Sequence, residues 1–404
     1  MRVLWIKSDF PLPADTGGKI RTKHLLVELA RRADVTFLCY VPPDHPKRYI
    51  DELEATGVRV EAIPRGEEIK SGPGFYFRVL RNLTSQRPYI VKKYMSPEMT
   101  ALVRELGTPD RHDVALCDFL EMAWCAEHVQ GLPTVLFEHN VETMIWRRYH
   151  QVESNFLKRL YFDYEQGRVA RTERAACAEF DVVLTVSRDD GELLKQDFGL
   201  KTYTMLPTGV DVEYFQPQTG EIAGRLVFCG SMDWMPNIDG FWWFYRSIYP
   251  RIRKAFPAVS FAVVGRRPGP EIVATTHADR DTLVTGTVDD VRPYVAAAQL
   301  YLVPLRVGGG TRIKIYEAMA MKKCVISTSI GAEGLPLVNG EHLVIADGEE
   351  AFADAVKELL LDANKRSRIA EAGYRLVTEH YSWSRAASVL YDALKALVAS
   401  RTSS

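Results

Sequence analysis

RVLWIKSDFPLPADTGGKIRTKHLLVELARRADVTFLCYV, residues 2–41, decides the fold class. Val3 to Ile6 is a short continuous apolar run of the kind buried in a sheet, and Pro11 and Pro13 end it. D-T-G-G at 15–18 reads as a loop. A helix is expected from about Lys19 to Arg32, because Ile20, Leu25, Leu26, Leu29 and Ala30 fall on a helical period. Val35 to Tyr40 then returns as a second strand. Strand, glycine loop, helix and strand in that order build a parallel sheet with helices on its faces.

Working outward, the pattern repeats with strands at Val114–Cys117, Thr134–Glu138 and Val182–Val186, and a long charge-rich helical stretch over 142–179. Residues 206–224 lose the periodicity and collect Pro and Gly, which marks a linker. A second series follows at Leu226–Phe228, Ser260–Val264, Leu283–Thr285, Leu300–Val303, Cys324–Ser327 and Leu343–Ile345, and Trp383 to Ala399 closes the chain as an amphipathic helix. A length of 404 residues suits two such sheets in tandem, each of roughly 150–200 residues. The fold class is α/β.

Composition narrows the function. Hydrophobic residues at 47% and charged residues at 25% fit a globular protein, and a formal net charge of -1 argues against a globally basic nucleic-acid binder. The six cysteines (Cys39, Cys117, Cys125, Cys177, Cys229, Cys324) form no C-x-x-C pair and no zinc-ligand spacing with His, so reduced thiols in the cytosol are expected. The opening M-R-V-L-W-I-K-S-D is too short an apolar run for a secretory signal, and no stretch of about 18 uninterrupted apolar residues exists. The expected location is cytoplasmic. Arg147, Arg148, Lys158, Arg159, Arg168, Arg171 and Arg174, interleaved with Trp146, Tyr149, Phe156, Leu157, Tyr161 and Phe162, have two readings. They form a basic amphipathic surface for peripheral contact with the inner face of a membrane, or a solvated helix face whose charge Glu153, Asp163, Glu165 and Glu173 dilute.

The strongest local pattern is R-V-G-G-G-T-R-I-K-I-Y-E-A-M-A-M, Arg306 to Met321, which follows an apolar strand and opens a helix. Gly309, Gly310 and Thr311 let the backbone approach a ligand closely, and a helix start offers free N–H groups and a positive dipole end. Arg312 and Lys314 add positive charge, which suits a pyrophosphate. Lys314 and Glu317 share a helix face, and the carboxylate can accept hydrogen bonds from ribose hydroxyls. Alone, the same pattern is equally a Gly-rich turn before an amphipathic helix with a surface ion pair.

Three weaker patterns also fall just after strands. Gly17 and Gly18 follow the first strand, but without a G-x-G-x-x-G opening they are otherwise a structural turn. His139 lies in F-E-H-N-V-E-T, residues 137–143, at a strand's carboxyl end; it either reaches a cleft or is an ordinary hydrogen-bonded histidine, with Glu138 and Glu142 as flanking surface charges. F-C-G-S-M-D-W-M-P-N, residues 228–237, places Gly230 for close backbone approach and offers Asp233 and Asn237 to a ligand. The alternative is a turn with a helix start at Pro236 and Asn237 or Asp239 as a cap. Two patterns lie in each half, facing one expected cleft.

These residues, together with V-S-R-D-D at 186–190, L-P-T-G-V-D at 206–211 and V-V-G-R-R-P at 263–268, resemble retaining glycosyltransferases of the GT-B fold (glycosyltransferase family four, group-one type). The likeness spans essentially the whole chain, and its nearest subgroup is the sugar transferases associated with exopolysaccharide and exosortase gene clusters. It implies two Rossmann-like domains facing each other across a cleft: an acceptor domain at 1–205, a linker at 206–222, a nucleotide-sugar donor domain at 223–380, and a helix at 381–404 that packs back on the first domain. It also implies that Gly17 and Gly18 touch the donor phosphates or the acceptor, that His139 lines the transferred sugar, that Glu317 binds the ribose as the second glutamate of a paired motif, and that the Val288 region meets the base. Two departures stand out. The first glutamate of the pair would fall at Gly309, and Ser231 and Met232 occupy the place of the usual arginine after the strand at 226–228. Arg312 and Lys314 are the candidates to neutralise phosphate instead.

The expected reaction is transfer of a sugar from a nucleoside-diphosphate sugar to the hydroxyl of a glycan or lipid-linked acceptor in cell-surface glycan synthesis. Configuration is retained, with no cofactor and no metal, since no D-x-D clamp is placed for it. Front-face attack with the leaving phosphate taking the acceptor proton needs no carboxylate nucleophile. Competing readings are a nucleotide-sugar epimerase on the same fold, a non-catalytic partner protein that keeps the fold alone, and an NAD-dependent oxidoreductase, which the missing G-x-G-x-x-G disfavours.

Overall fold

The structure is a computed structural model that describes residues 1–66, 72–153, 155–307 and 313–402. It divides into two compact units, Met1–Pro207 with the residues from 386 onward, and Thr208–Arg385.

The first unit is built on seven parallel strands: β1 (Arg2–Lys7), β2 (Asp34–Val41), β3 (Arg59–Pro64), β4 (Val114–Asp118), β5 (Thr134–Glu138), β6 (Val182–Thr185) and β7 (Thr204–Met205), in the order β3-β2-β1-β4-β5-β6-β7. Trp5 on β1 pairs with Phe37 on β2 and Leu116 on β4, so β1 is central, and its Val3–Ile6 run is buried on both faces as parallel strands require. Strand order reverses between β1 and β4, which opens a crevice at their carboxyl ends.

Four helices of this unit matter below: α1 (Gly17–Ala30), α2 (Gly72–Asn82), α3 (Glu142–Val152) and α4 (Phe156–Glu179). Thr16 caps α1, its side chain accepting from the Lys19 amide. Gly17 and Gly18 are therefore the first turn of the helix and not the loop expected from the sequence. The expected continuous helix over 142–179 is two helices: Glu153 follows α3 in extended conformation, and Asn155 starts α4 by accepting from the Lys158 amide at 3.1 Å.

Not all the charge on this stretch reaches the surface, although both readings of it assumed so. Arg168 is buried, paired with Glu165 and donating to the carbonyls of Asn82, Ser85 and Arg87, so it pins α4 to the end of α2. Glu165 and Glu173 also point inward.

The second unit carries six parallel strands: β8 (Arg225–Cys229), β9 (Ser260–Val264), β10 (Thr282–Val284), β11 (Leu300–Val303), β12 (Cys324–Ser327) and β13 (Val344–Ile345), in the order β10-β9-β8-β11-β12-β13. Here the order reverses between β8 and β11. Helix α5 (Met235–Trp243) follows β8, and α6 (Ile313–Ala320) follows β11. Its core joins Leu226, Val227 and Phe228 of β8 to Phe241, Phe244 and Phe261, a separate cluster from that of the first unit.

The last helix, α7 (Trp383–Thr402), begins with Trp383 against Gly209, where a side-chain carbon would come within 2.6 Å of the indole. From 386 onward it belongs to the first unit: Arg32 donates to Ser388 Oγ at 2.8 Å and Arg401 pairs with Asp181 at 2.5 Å. Among the described residues, no helix is long and apolar enough to cross a membrane.

Candidate active site

Each unit gathers its charged side chains where its strands end. In the first, β4 ends on Asp118, β1 on Lys7, and His139 follows β5 directly. All three are buried. The Asp118 carboxylate accepts from Trp5 Nε1 at 3.1 Å and from Thr22 Oγ1 of α1 at 2.8 Å, with Lys7 Nζ at 3.4 Å and His139 Nε2 at 2.7 Å. Burial works to raise its pKa, but Lys7 and His139 outweigh that and hold it well below the usual carboxylate range.

His139 sits between two charged partners. Arg21 Nη1 of α1 lies 3.1 Å from Nδ1, and a guanidinium only donates, so Nδ1 accepts. The neutral ring carries its proton on Nε2, which lies 2.7 Å from Asp118 Oδ1 without being aligned for a hydrogen bond. Burial brings the imidazole pKa down to about 3, although Asp118 opposes the shift, so the ring is neutral at physiological pH. Phe119 stacks on it at 3.9 Å, and a side chain on Gly18 would meet the Phe119 ring at 3.1 Å. A side chain there would make Phe119 give by a few tenths of an ångström.

Glu138 and Glu142 are not the surface charges the sequence allowed. Glu138 is buried beside His139, and neither of its carboxyl oxygens has a hydrogen-bond partner. Burial, with Glu173 and Glu142 nearby, pushes its pKa well above the ordinary glutamate value. Burial also raises Glu142 to about 8 and Glu173 to about 7. Glu173 of α4 caps α3, accepting from the Glu142 amide at 2.7 Å and from the Thr143 amide and hydroxyl.

In the second unit, Lys314 and Glu317 of α6 lie near the end of β8. Lys314 Nζ donates to the Cys229 carbonyl at 2.8 Å and to Asn237 Oδ1 at 3.1 Å. These two acceptors fix the position of the ammonium. Burial raises the Glu317 carboxyl to about 7, with Lys314 pulling the other way.

Asn237 lies inside α5 and caps nothing; Trp234 holds the N-cap position. Its amide nitrogen donates to the Ser231 carbonyl at 2.8 Å while its oxygen holds Lys314, which makes it a positioning residue. Gly230 permits close approach, as expected, but what approaches is protein. A side-chain carbon on Gly230 would meet Asn237 at 2.7 Å, and one on Gly265 would meet the Gly230 carbonyl at 1.8 Å.

Val288 follows β10 half-buried against the core. Gly309, Gly310, Thr311 and Arg312 lie outside the described residues.

Sequence reasoning missed Lys7, Arg21 and Asp118. A lysine and an aspartate that end apolar strands, and an arginine one turn into a buried helix, were the available signals. It also missed how cations reach the place of the absent arginine. Arg266 and Arg267 come from beyond β9, at 3.7 and 3.5 Å from Asp233, and the Arg266 carbonyl accepts from the Met232 amide at 2.9 Å.

Two doubly wound parallel sheets, each in its own compact unit, are the architecture of the GT-B glycosyltransferases. Residues 16–214 match the family described as Glycosyltransferase Family 4, and residues 223–362 match Glycosyl transferases group 1. The chain belongs to these glycosyltransferases. It is similar along its length to an uncharacterized 44.6 kDa protein in the cps region of Klebsiella pneumoniae, at 21% identity over 96% of this chain and 99% of that one. A GDP-mannose-dependent alpha-(1-6)-phosphatidylinositol monomannoside mannosyltransferase of Mycobacterium tuberculosis is 29% identical over 53% of this chain and 62% of its own. Among solved structures, the Anabaena protein HepE in complex with UDP aligns with a TM-score of 0.69 at 12% identity, covering 98% of this chain and 100% of that one.

Proposed function

We propose that this glycosyltransferase moves a sugar from a nucleoside-diphosphate donor to an acceptor hydroxyl with retention of configuration and without a metal ion, in cell-surface glycan synthesis. The observation that carries the reading is Lys314, whose ammonium the Cys229 carbonyl and Asn237 hold in one place beside the end of β8. Departure of a nucleoside diphosphate builds negative charge on phosphate, and a fixed ammonium stabilises it without reorganising during the reaction. Glu317, one turn further along the helix, takes the ribose hydroxyls. Nδ1 of His139 is engaged by Arg21, and burial keeps the ring neutral, so its proposed role is to shape the sugar site and not to carry a proton. The UDP named with HepE and the GDP-mannose named for the mycobacterial relative support a nucleotide-sugar donor. The likeness to a protein of the cps region supports the glycan role.

The test is donor turnover in the presence of a chelator, with and without an extract of cell-envelope glycans and lipids. The reading expects nucleoside diphosphate to be released only with acceptor, and a product whose anomeric proton coupling matches that of the donor. Conversion of the donor without acceptor would make the chain an epimerase, and inverted product would end the retaining proposal.

Contact with a membrane is a further part of the reading. Phe77 and Phe156 are 65% and 75% exposed, together with Tyr76, Leu80, Leu157 and Leu160, and Arg78, Arg81, Lys158 and Arg159 stand among them. The Tyr164 hydroxyl ties α4 to the Leu83 carbonyl just past α2. Apolar side chains ringed by cations suit an anionic bilayer surface. Flotation with phosphatidylglycerol liposomes but not with neutral ones is the expected result, and equal behaviour with both removes this part.

A further inference from the structure

A cavity of about 530 Å³ lies in the first unit beyond the ends of β1, β2 and β3, within the size of small-molecule sites. Three cations line it: Lys19 from the first turn of α1, Arg65 just after β3, and Lys93. The carboxylate in its lining is Asp9, and Lys7 Nζ stands 3.6 Å from that group. Lys19 is paired with Asp15 at 3.3 Å, so the positive character of the lining comes chiefly from Arg65 and Lys93.

Arg65 is the best-placed of the three. Its guanidinium lies 4.7 Å from the centre of the Tyr40 ring and 5.5 Å from that of Tyr94, and the two rings stack at 6.3 Å. One of its nitrogens donates to the Lys93 carbonyl. The other, Nη1, is shielded from water and has no hydrogen-bond partner, and so is Nε2 of His45 on the same lining. Native structures rarely leave buried donors unmet, and a guanidinium fork fixed on aromatic rings is matched to a planar or tetrahedral oxyanion. Burial, and then Lys19, lower the His45 pKa, which fits a site already crowded with positive charge. Phe10 and His45 meet edge to face at 4.8 Å and add apolar wall for a sugar ring.

We infer that this cavity takes the acceptor, and that the acceptor end bound here is a sugar carrying an oxyanion, gripped by Arg65 with Lys93 and Lys19. The inference rests on the glycosyltransferase reading for the word acceptor, but the chemistry of the cavity stands on its own lining. Phosphate and carboxylate share this chemistry, and the choice of probe separates them.

The experiment is calorimetric titration of the full chain with glucose 1-phosphate, glucuronate and glucose, with UDP titrated into the same preparations. One of the two anionic sugars should bind at least tenfold more tightly than glucose, and which one it is names the group. Arg65→Gln should weaken that binding at least tenfold and leave UDP affinity within twofold, which also reports that the variant is folded. Lys93→Gln, a change at the rim, gives a second reading if Arg65→Gln does not fold, with an expected loss of threefold or more. If UDP binds but neither anionic sugar is preferred over glucose, or both variants bind like the wild type, the inference is overturned and the donor reading survives. If the anionic sugar binds in an Arg65-dependent way and UDP does not bind, the cavity's chemistry stands and the donor reading falls.

Discussion

Nε2 of His139 lies 2.7 Å from Oδ1 of Asp118, with both side chains sealed from water and Arg21 on the opposite ring nitrogen at 3.1 Å. Asp118 also compensates Lys7 at 3.4 Å, so one carboxylate balances a buried ammonium, while Arg21 fixes the tautomer of the imidazole by donating to Nδ1. Asp118→Asn keeps the shape and removes the charge. Removing one partner of a buried pair costs about 3–5 kcal/mol, and because Lys7 keeps Asp9 at 3.6 Å the loss on urea unfolding should lie at the lower end of that range. A change below about 1 kcal/mol would show that Asp9 alone compensates Lys7.

Stability should vary with pH in a way the neighbouring acids set. An ordinary glutamate titrates at 4.5, whereas Glu173 holds its proton to about 7 in the folded chain and Glu138 holds it far above the ordinary value. Their contribution is complete below pH 4.5 and is lost as pH rises through the folded values. His139 runs the other way: its contribution is complete above pH 6.5 and is lost as pH falls toward about 3. Glu138→Gln stays neutral at every pH. It should flatten the fall in unfolding free energy between pH 5 and pH 8, measured by urea titration across that range. A profile identical to that of the wild type would contradict the burial argument.

Gly265→Ala places a carbon 1.8 Å from the backbone carbonyl of Gly230, which has no side chain to move aside. The loss should reach the upper end of roughly 1–3 kcal/mol for overpacking, seen in thermal unfolding. Gly167→Ala, inside α4 with nothing within 4 Å, serves as the control and should keep or slightly raise stability.

Lys314→Gln removes the ammonium that Cys229 and Asn237 hold. Nucleotide affinity should fall at least tenfold, about 1.4 kcal/mol, with little change in melting temperature of the unliganded protein. Asn237→Ala should give a smaller loss of the same sign, because Lys314 keeps the Cys229 carbonyl. Equal affinities in wild type and Lys314→Gln would move the phosphate contact elsewhere.

Much of the fold was legible because strands buried on both faces are plain apolar runs. Thr134–Glu138, Ser260–Val264, Leu300–Val303 and Cys324–Ser327 read directly from the sequence to the same ends in the structure. The edge strands β3 and β7 were not legible. R-V-E-A-I-P mixes charge with apolar residues at a sheet margin, and β7 is only Thr204–Met205. The break between α3 and α4 depends on a single asparagine cap, which a helical period passes over. His139 was visible because it follows a strand. Its partners were not, because Lys7, Arg21 and Asp118 come from three other elements and meet it only once β1, β4 and β5 lie side by side.

The most direct test of the donor site is calorimetric titration of the purified chain with UDP, GDP, ADP and their sugar conjugates, without added metal, alongside Glu317→Ala. The account predicts that one base binds clearly more tightly than the others and that Glu317→Ala weakens it at least tenfold through loss of the ribose contact. Absence of binding by any of these nucleotides, or unchanged affinity in Glu317→Ala, would contradict the placement of the donor at Lys314 and Glu317.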